Sequence, residues 1–293
     1  MPETLQLETE GGVRSIILDR ANQYNTITPT LRDELGAAID EADADSDVHV
    51  IFLGANGPAF CAGYGLDWST EAMAAEAASR RAWDIPTDMS FMKPFVDTYM
   101  KLWYARKPVV AAVQGWCIGG GTDMVLCADI IIAAEGASFG YPPARVWGTP
   151  TTAMWVYRMG AERAKRYLFT GDEIPAAEAA RNGLVLEVVP DAELKERAMA
   201  LAQRMARVPV NQLAMLKLLC NQPAESMGLA ASRTLGTVFD GMARHSQEGI
   251  DFVRRAGEVG FRQAVRERDD PFGDYGSRRH DASQSEEDST RKP

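Results

Sequence analysis

Residues 108–123 read Pro-Val-Val-Ala-Ala-Val-Gln-Gly-Trp-Cys-Ile-Gly-Gly-Gly-Thr-Asp, an apolar run that breaks at three consecutive glycines into a segment of helical composition. Val109, Val110 and Val113 supply β-branched strand character, and Gly119, Gly120 and Gly121 permit tight backbone turns with no side chain to block a ligand. The spacing predicts a buried strand over 109–113 and a helix over 122–128. A strand that turns directly into a helix aims backbone N–H groups at whatever sits over the turn, and that geometry favours a developing anion. Taken alone, a glycine triplet after a strand is a weak signal.

A second motif upstream strengthens it. Gly57-Pro58-Ala59-Phe60-Cys61-Ala62-Gly63-Tyr64-Gly65-Leu66 follows another apolar strand, expected over 48–53. Together the two motifs resemble the crotonase (enoyl-CoA hydratase/isomerase) superfamily. The resemblance runs from about residue 5 to 274. It takes in Ile17-Leu18-Asp19-Arg20 with Asn25, Ala128-Asp129, Phe139-Gly140, Thr170-Gly171 and Ala179-Ala180-Arg181-Asn182-Gly183-Leu184-Val185, all in the family's order. The fold it implies is α/β, a spiral of strand-strand-helix turns followed by helices. It also implies an oxyanion hole in which Tyr64 and Gly120 donate the two N–H groups that hold a thioester oxygen, flanked by Gly63 and Gly119.

The same resemblance assigns the acid and base positions. Hydratases of the family carry two glutamates, one on the helix after the triple glycine and one just after the Phe-Gly-x-Pro segment. Here the first position is Asp123, a carboxylate shorter by one methylene, as in some dienoyl-CoA isomerases of the family. An acidic residue in a helix's first turn is also favoured by the dipole, whatever the protein does. The second position is Pro143, which cannot transfer a proton, so the two-glutamate hydration pattern is incomplete. Eight residues on, where some isomerases and dehalogenases of the family place an aspartate, stands Thr151. It could position substrate or water, but capping a helix through Met154 and Tyr157 is the simpler expectation. Arg145 is open between an acyl-group contact and a solvent or subunit contact, with the second favoured. Asp19, Asp67 and Asp172 read as turn or surface groups. No histidine lies near the motifs, so a Ser-His-Asp arrangement is not supported.

Coenzyme A enters as the substrate thioester, with no separate cofactor or metal. The resemblance places its adenine end against the backbone of Gln23, Tyr24 and Ala62. No Gly-x-Gly-x-x-Gly or P-loop motif points to nicotinamide or ATP. Tyr64, Trp116, Tyr141, Trp147 and Trp155 fall in or beside the motifs. Core packing is their more usual role; as walls of an acyl cavity they would make a flat or bulky acyl group as plausible as a short straight chain. Trp68, Trp83 and Trp103 flank the Ala- and Met-rich stretch 69–100, expected to be a mobile wall.

A formal net charge of −10 argues against nucleic acid or an anionic membrane as the main partner. No apolar run reaches the ~18 residues a membrane span needs, and the expectation is a soluble cytoplasmic protein. Cys61, Cys117, Cys127 and Cys220 lack metal-ligand spacing and read as reduced thiols. The organisation expected is a core over 1–190, a helical region over 191–275 that in the family builds a homotrimer or dimer of trimers, and a disordered tail over 276–293. Two functional readings stay open: a hydratase/isomerase-like enzyme working through a stabilised enolate, and a thioester-binding protein with little turnover. Within the first, an isomerase or divergent lyase gains from the loss at Pro143, while a hydrolase on the same fold would need a base the sequence does not reveal.

Overall fold

A computed structural model describes residues 2–65 and 84–275. The chain opens with a hairpin, β1 (Leu5–Glu10) and β2 (Val13–Leu18), turned at Gly11 and Gly12. Thr28 then caps helix α1 (Pro29–Ala44), its side chain accepting from Leu31 N at 3.2 Å, and the stripe Leu31, Leu35, Ala38 and Ala42 is buried as its spacing predicts.

From there the chain repeats one unit. β3 (Val50–Ala55) leads to the short β4 (Ala59–Cys61), β5 (Val109–Val113) to β6 (Trp116–Ile118), and β7 (Ile130–Ala134) to β8 (Ser138–Gly140). The first strand of each pair enters one sheet and the second enters another. With β9 (Ile174–Pro175) and β10 (Glu187–Val189), the strand orders are β1-β2-β3-β5-β7-β10 and β4-β6-β8-β9. From β2 to β10 the first sheet is parallel, with Val13 opposite Val50, Ile51 opposite Val109 and Val110 opposite Ile130. Strands β3 and β5 are buried on both faces, which is why they read as unbroken apolar runs. The corner from β5 to β6 needs Gly115. Its φ is +54°, and a Cβ there would lie 1.9 Å from the Pro58 carbonyl oxygen.

Helices cover these sheets. They are α2 (Ile85–Tyr104), α3 (Gly120–Val125), α4 (Met154–Met159), α5 (Ala161–Leu168) and α6 (Ala176–Arg181), then α7 (Leu194–Ala206), α8 (Val210–Ser226), α9 (Leu229–Arg244), α10 (Gln247–Val259) and α11 (Phe261–Asp269). Helix α7 lays Ala198 and Ala202 on β3 and β5, while α9 packs against α2. Two expected elements move slightly: the strand placed at 48–53 runs over Val50–Ala55, and the helix placed at 122–128 runs over Gly120–Val125. The mobile-wall reading lies outside the described residues over 69–83, with Leu66, Asp67, Trp68 and Trp83, and its remainder falls largely within α2. The tail reading, 276–293, also lies outside them.

Candidate active site

The two glycine motifs meet where β4 and β6 end. Ile27 N donates to Gly63 O at 2.9 Å and Gly65 N donates to Ile27 O at 2.8 Å, fixing the backbone on both sides of Tyr64. Gly119 N is held by Gly140 O at 2.9 Å, and Gly119 O accepts from Thr122 N and Asp123 N. Gly120 is thereby left as the first residue of α3. Among the described residues, neither Tyr64 N nor Gly120 N donates a hydrogen bond. The two segments are close, since a Cβ on Gly63 would sit 3.8 Å from Gly120 N. Gly121 makes this approach possible, for a Cβ there would lie 2.4 Å from Cys61 O.

Asp123, one turn into α3, is wholly buried. Its Oδ2 accepts from Thr151 Oγ1 at 3.0 Å and Thr151 N at 3.3 Å, and its Oδ1 accepts from Thr152 Oγ1 at 3.3 Å. Burial pushes the carboxyl up to about 7, opposed by the Thr151 hydrogen bonds and reinforced by the charge of Asp240. Thr151 is therefore not the cap of α4. That place falls to Ala153, in the left-handed region at φ 58°, and the Thr151 hydroxyl turns inward because a buried carboxylate is costly without donors.

A cavity of about 550 Å³ opens in front of these groups. Tyr24, Ala62, Gly63, Tyr64, Trp116, Gly119, Gly120 and Pro143 all line it, as do Tyr141 and Trp147. Gln23 is exposed and stands outside the lining, while Asp123 and Thr151 are buried behind it. Burial pushes the hydroxyls of Tyr64 and Tyr141 well up, and the charge of Asp123 adds to the shift. The Tyr64 ring lies over Gly120 and edge-on to Phe95 at 5.4 Å, with its hydroxyl 3.3 Å from that of Tyr99. Trp155 is no wall residue: it stands in the first turn of α4 with its ring buried in the core.

Arg145 also departs from expectation. Its side chain is 1% exposed and is paired with Asp269 at 2.9 Å and Asp274 at 2.7 Å, with Asp172 at 3.7 Å and the Phe272 ring 3.9 Å from its guanidinium carbon. It is neither a solvent contact nor an acyl contact; it clamps the end of the described chain onto the second sheet. That clamp helps hold α11 over the cavity, where Phe261, Val265 and Arg266 join the lining.

The sequence reading missed two cavity residues on α9, Asp240 and Arg244. Arg244 Nε donates to Asp240 Oδ2 at 3.2 Å, and its other end pairs with Asp88 of α2 at 3.0 Å. The available signal was the i, i+4 acid–base spacing, which looks the same on any solvated helix. Among the described residues, no group of three His, Cys, Asp or Glu side chains is placed to hold a metal ion. The cysteines are free thiols, Cys61, Cys117 and Cys127 buried and Cys220 exposed.

The sequence profile of the enoyl-CoA hydratase/isomerase family matches residues 8–257. The chain belongs to that family. A probable enoyl-CoA hydratase of Rhizobium meliloti is 32% identical over 226 residues, 76% of this chain and 83% of the relative. The human mitochondrial enoyl-CoA hydratase domain-containing protein 3 is 32% identical over 82% of this chain and 77% of its own length. Among solved structures, an enoyl-CoA hydratase from Mycobacterium smegmatis superposes with a TM-score of 0.88 at 43% identity, covering 94% of this chain and 96% of that one. An enoyl-CoA hydratase/isomerase from Xanthobacter autotrophicus Py2 gives 0.84 at 27% identity, over 92% and 99%. This family member is thus an enzyme of the hydratase/isomerase kind, with the crotonase fold. Among the described residues, no helix is long and apolar enough to cross a membrane.

Proposed function

We propose that the chain acts on an acyl-CoA, hydrating or shifting the double bond of a 2-enoyl or 3-enoyl thioester, with Tyr64 N and Gly120 N holding the thioester oxygen as it becomes an enolate. One observation carries this reading: among the described residues, two backbone N–H groups without an acceptor belong to cavity-lining residues, and the helix that begins at one of them carries a buried carboxyl. Removing one such donor from a dry site costs about 2.7–4 kcal/mol of transition-state stabilisation, so a fixed pair supplies a large share of the acceleration. Asp123, with its carboxyl pushed up to about 7, is half-protonated at neutrality and suited to giving or taking a proton.

The cavity walls are largely apolar, with Trp116, Tyr141 and Trp147 among them. They support a flat or bulky acyl group as readily as a straight chain. Coenzyme A is part of the substrate, its adenine end lying near Tyr24 and Ala62 where the cavity opens. The outward face of α8, with Leu218 67% and Leu219 70% exposed, is the surface through which copies associate as a trimer or dimer of trimers. Light scattering tests that association.

The activity is tested by mass spectrometry after incubation with straight, branched and aromatic 2-enoyl- and 3-enoyl-CoA esters. Addition of one water to a 2-enoyl ester is the result expected of a hydratase, and unchanged mass with a shifted double bond that of an isomerase. A protein that binds these esters and converts none is a thioester-binding protein, and the reading fails.

A further inference from the structure

Pro143 leaves the cavity without a carboxylate at the position where hydratases of the family carry their second glutamate, yet a carboxylate stands beside it. Gly148 shows how near: a Cβ placed there would meet Pro143 Cβ at 2.9 Å and Asp240 Oδ1 at 3.4 Å. Asp240 comes from α9, far along the chain, and lines the cavity that Asp123 does not. We propose that Asp240 is the second proton-transfer carboxylate of this enzyme, delivered from the C-terminal helices into the space that Pro143 leaves empty. The inference rests on the acyl-CoA reading above.

The hydrogen-bond pattern gives each oxygen of Asp240 a different task. Oδ2 accepts from Arg244 Nε at 3.2 Å, and Arg244 is itself anchored by Asp88. Among the described residues, Oδ1 receives only the Thr149 N–H, at 3.4 Å, beyond the usual range of a strong N–H···O bond. One oxygen is therefore fixed by a cation and the other keeps lone pairs for a ligand. Asp240 and Asp123 also sit in contrasting surroundings. Asp240 has a guanidinium partner, whereas Asp123 has only hydroxyl and amide donors. Such a difference divides two carboxyls into a base and an acid.

In hydration, Asp240 takes a proton from water as the water oxygen bonds to C3 of the enoyl thioester. The C2=C3 π pair moves toward the thioester oxygen held by Tyr64 N and Gly120 N, and C2 then takes a proton from a cavity water that protonated Asp123 resupplies. Net addition is one water. Proton exchange with solvent resets the two carboxyls. The charged and titratable groups facing Asp240 are Arg244 on its own helix, Asp88 on α2, Asp123 on α3, and the hydroxyls of Tyr64 and Tyr141.

The test compares wild type, Asp240→Asn and Asp240→Glu on crotonyl-CoA, cinnamoyl-CoA and the matching 3-enoyl esters. Readouts are kcat, KM, the pH profile of kcat/KM and the melting temperature. A general acid–base group contributes about 10²–10⁴-fold, so Asp240→Asn is expected to lose at least a hundredfold in kcat with KM within threefold. It should also lose one of two ionisations from the profile, and Asp240→Glu should recover part of the rate. A merely structural ion pair would lower the melting temperature and leave both ionisations. If Asp240→Asn keeps wild-type kcat within threefold, the proposal is overturned while the acyl-CoA reading stands. If wild type converts none of the esters, both fall. If Asp240→Asn does not fold, Asp240→Glu decides: a lowered kcat with one ionisation moved supports the proposal, and wild-type kcat with an unchanged profile overturns it.

Discussion

Replacing Asp123 with asparagine should make the protein less sensitive to alkali, and the size of the effect follows from the site. The carboxyl is wholly buried and pushed up to about 7, while in the unfolded chain it returns to the ordinary aspartate range near 3.8. Between those values the folded protein holds a proton that the unfolded chain has released. Stability therefore falls as pH rises through this window, and the loss is complete above the folded value. Integrated from pH 5.5 to 8.5, this single group accounts for about 2 kcal/mol. Asparagine has nearly the same shape and never ionises, so its variant lacks the slope. The assay is urea unfolding of both proteins at fixed concentration across that range, taking the difference between them so that other titrating groups cancel. The difference should shift by about 2 kcal/mol in favour of Asp123→Asn toward pH 8.5. A flat difference would refute the claim that burial without a cation governs this carboxyl. In the same variant turnover should fall by about 10²–10⁴-fold.

Thr151→Val removes the hydroxyl that donates to Asp123 Oδ2 at 3.0 Å. A hydrogen bond to a charged group is worth about 1.5–3 kcal/mol, so the Asp123 ionisation should move to higher pH in the rate profile, and an unmoved limb would count against the assignment. Gly120→Ala places a Cβ 2.7 Å from the Tyr64 ring and 3.0 Å from Ile27 Cδ1. The displaced ring disturbs both amide donors, and kcat/KM should drop about a hundredfold in steady-state assays. Arg145→Ala leaves Asp274 without its close cation and Asp269 with Arg268 alone, and urea unfolding should show a loss of about 3–5 kcal/mol. Arg255→Ala also breaks two ion pairs, to Glu258 and Glu267, but on the open surface, and it should change the unfolding midpoint little.

What the sequence made legible was the part whose physics is local. Strands β3 and β5 read as unbroken apolar runs because both faces are buried, and the Gly119–Gly121 break is visible because no other residue permits Gly121 to lie against Cys61 O. The helix begins two residues earlier than composition suggests because Gly120 and Gly121 already have helical backbone, a conformation glycine takes but does not advertise. Thr151 was misread for a different reason. Its spacing from Met154 fits a cap, but the hydroxyl is claimed by a carboxylate on α3, and Ala153 turns the chain in its place. Arg145 was misread in the same way, since its partners Asp269 and Asp274 lie at and just past the end of α11, far along the chain. Asp240 is the limiting case. A fold built from repeating turns concentrates its recognisable glycines in the turns, so the motif-bearing half of the site stands out in the sequence. The other half comes from a C-terminal helix that crosses back over the cavity, where Asp240 and Arg244 look like any solvated i, i+4 pair until Gly148 and Pro143 are seen beside them. On the proposal that Asp240 transfers the second proton, proline at 143 is not a simple loss: it stands against Gly148, and so does the carboxylate that α9 brings in.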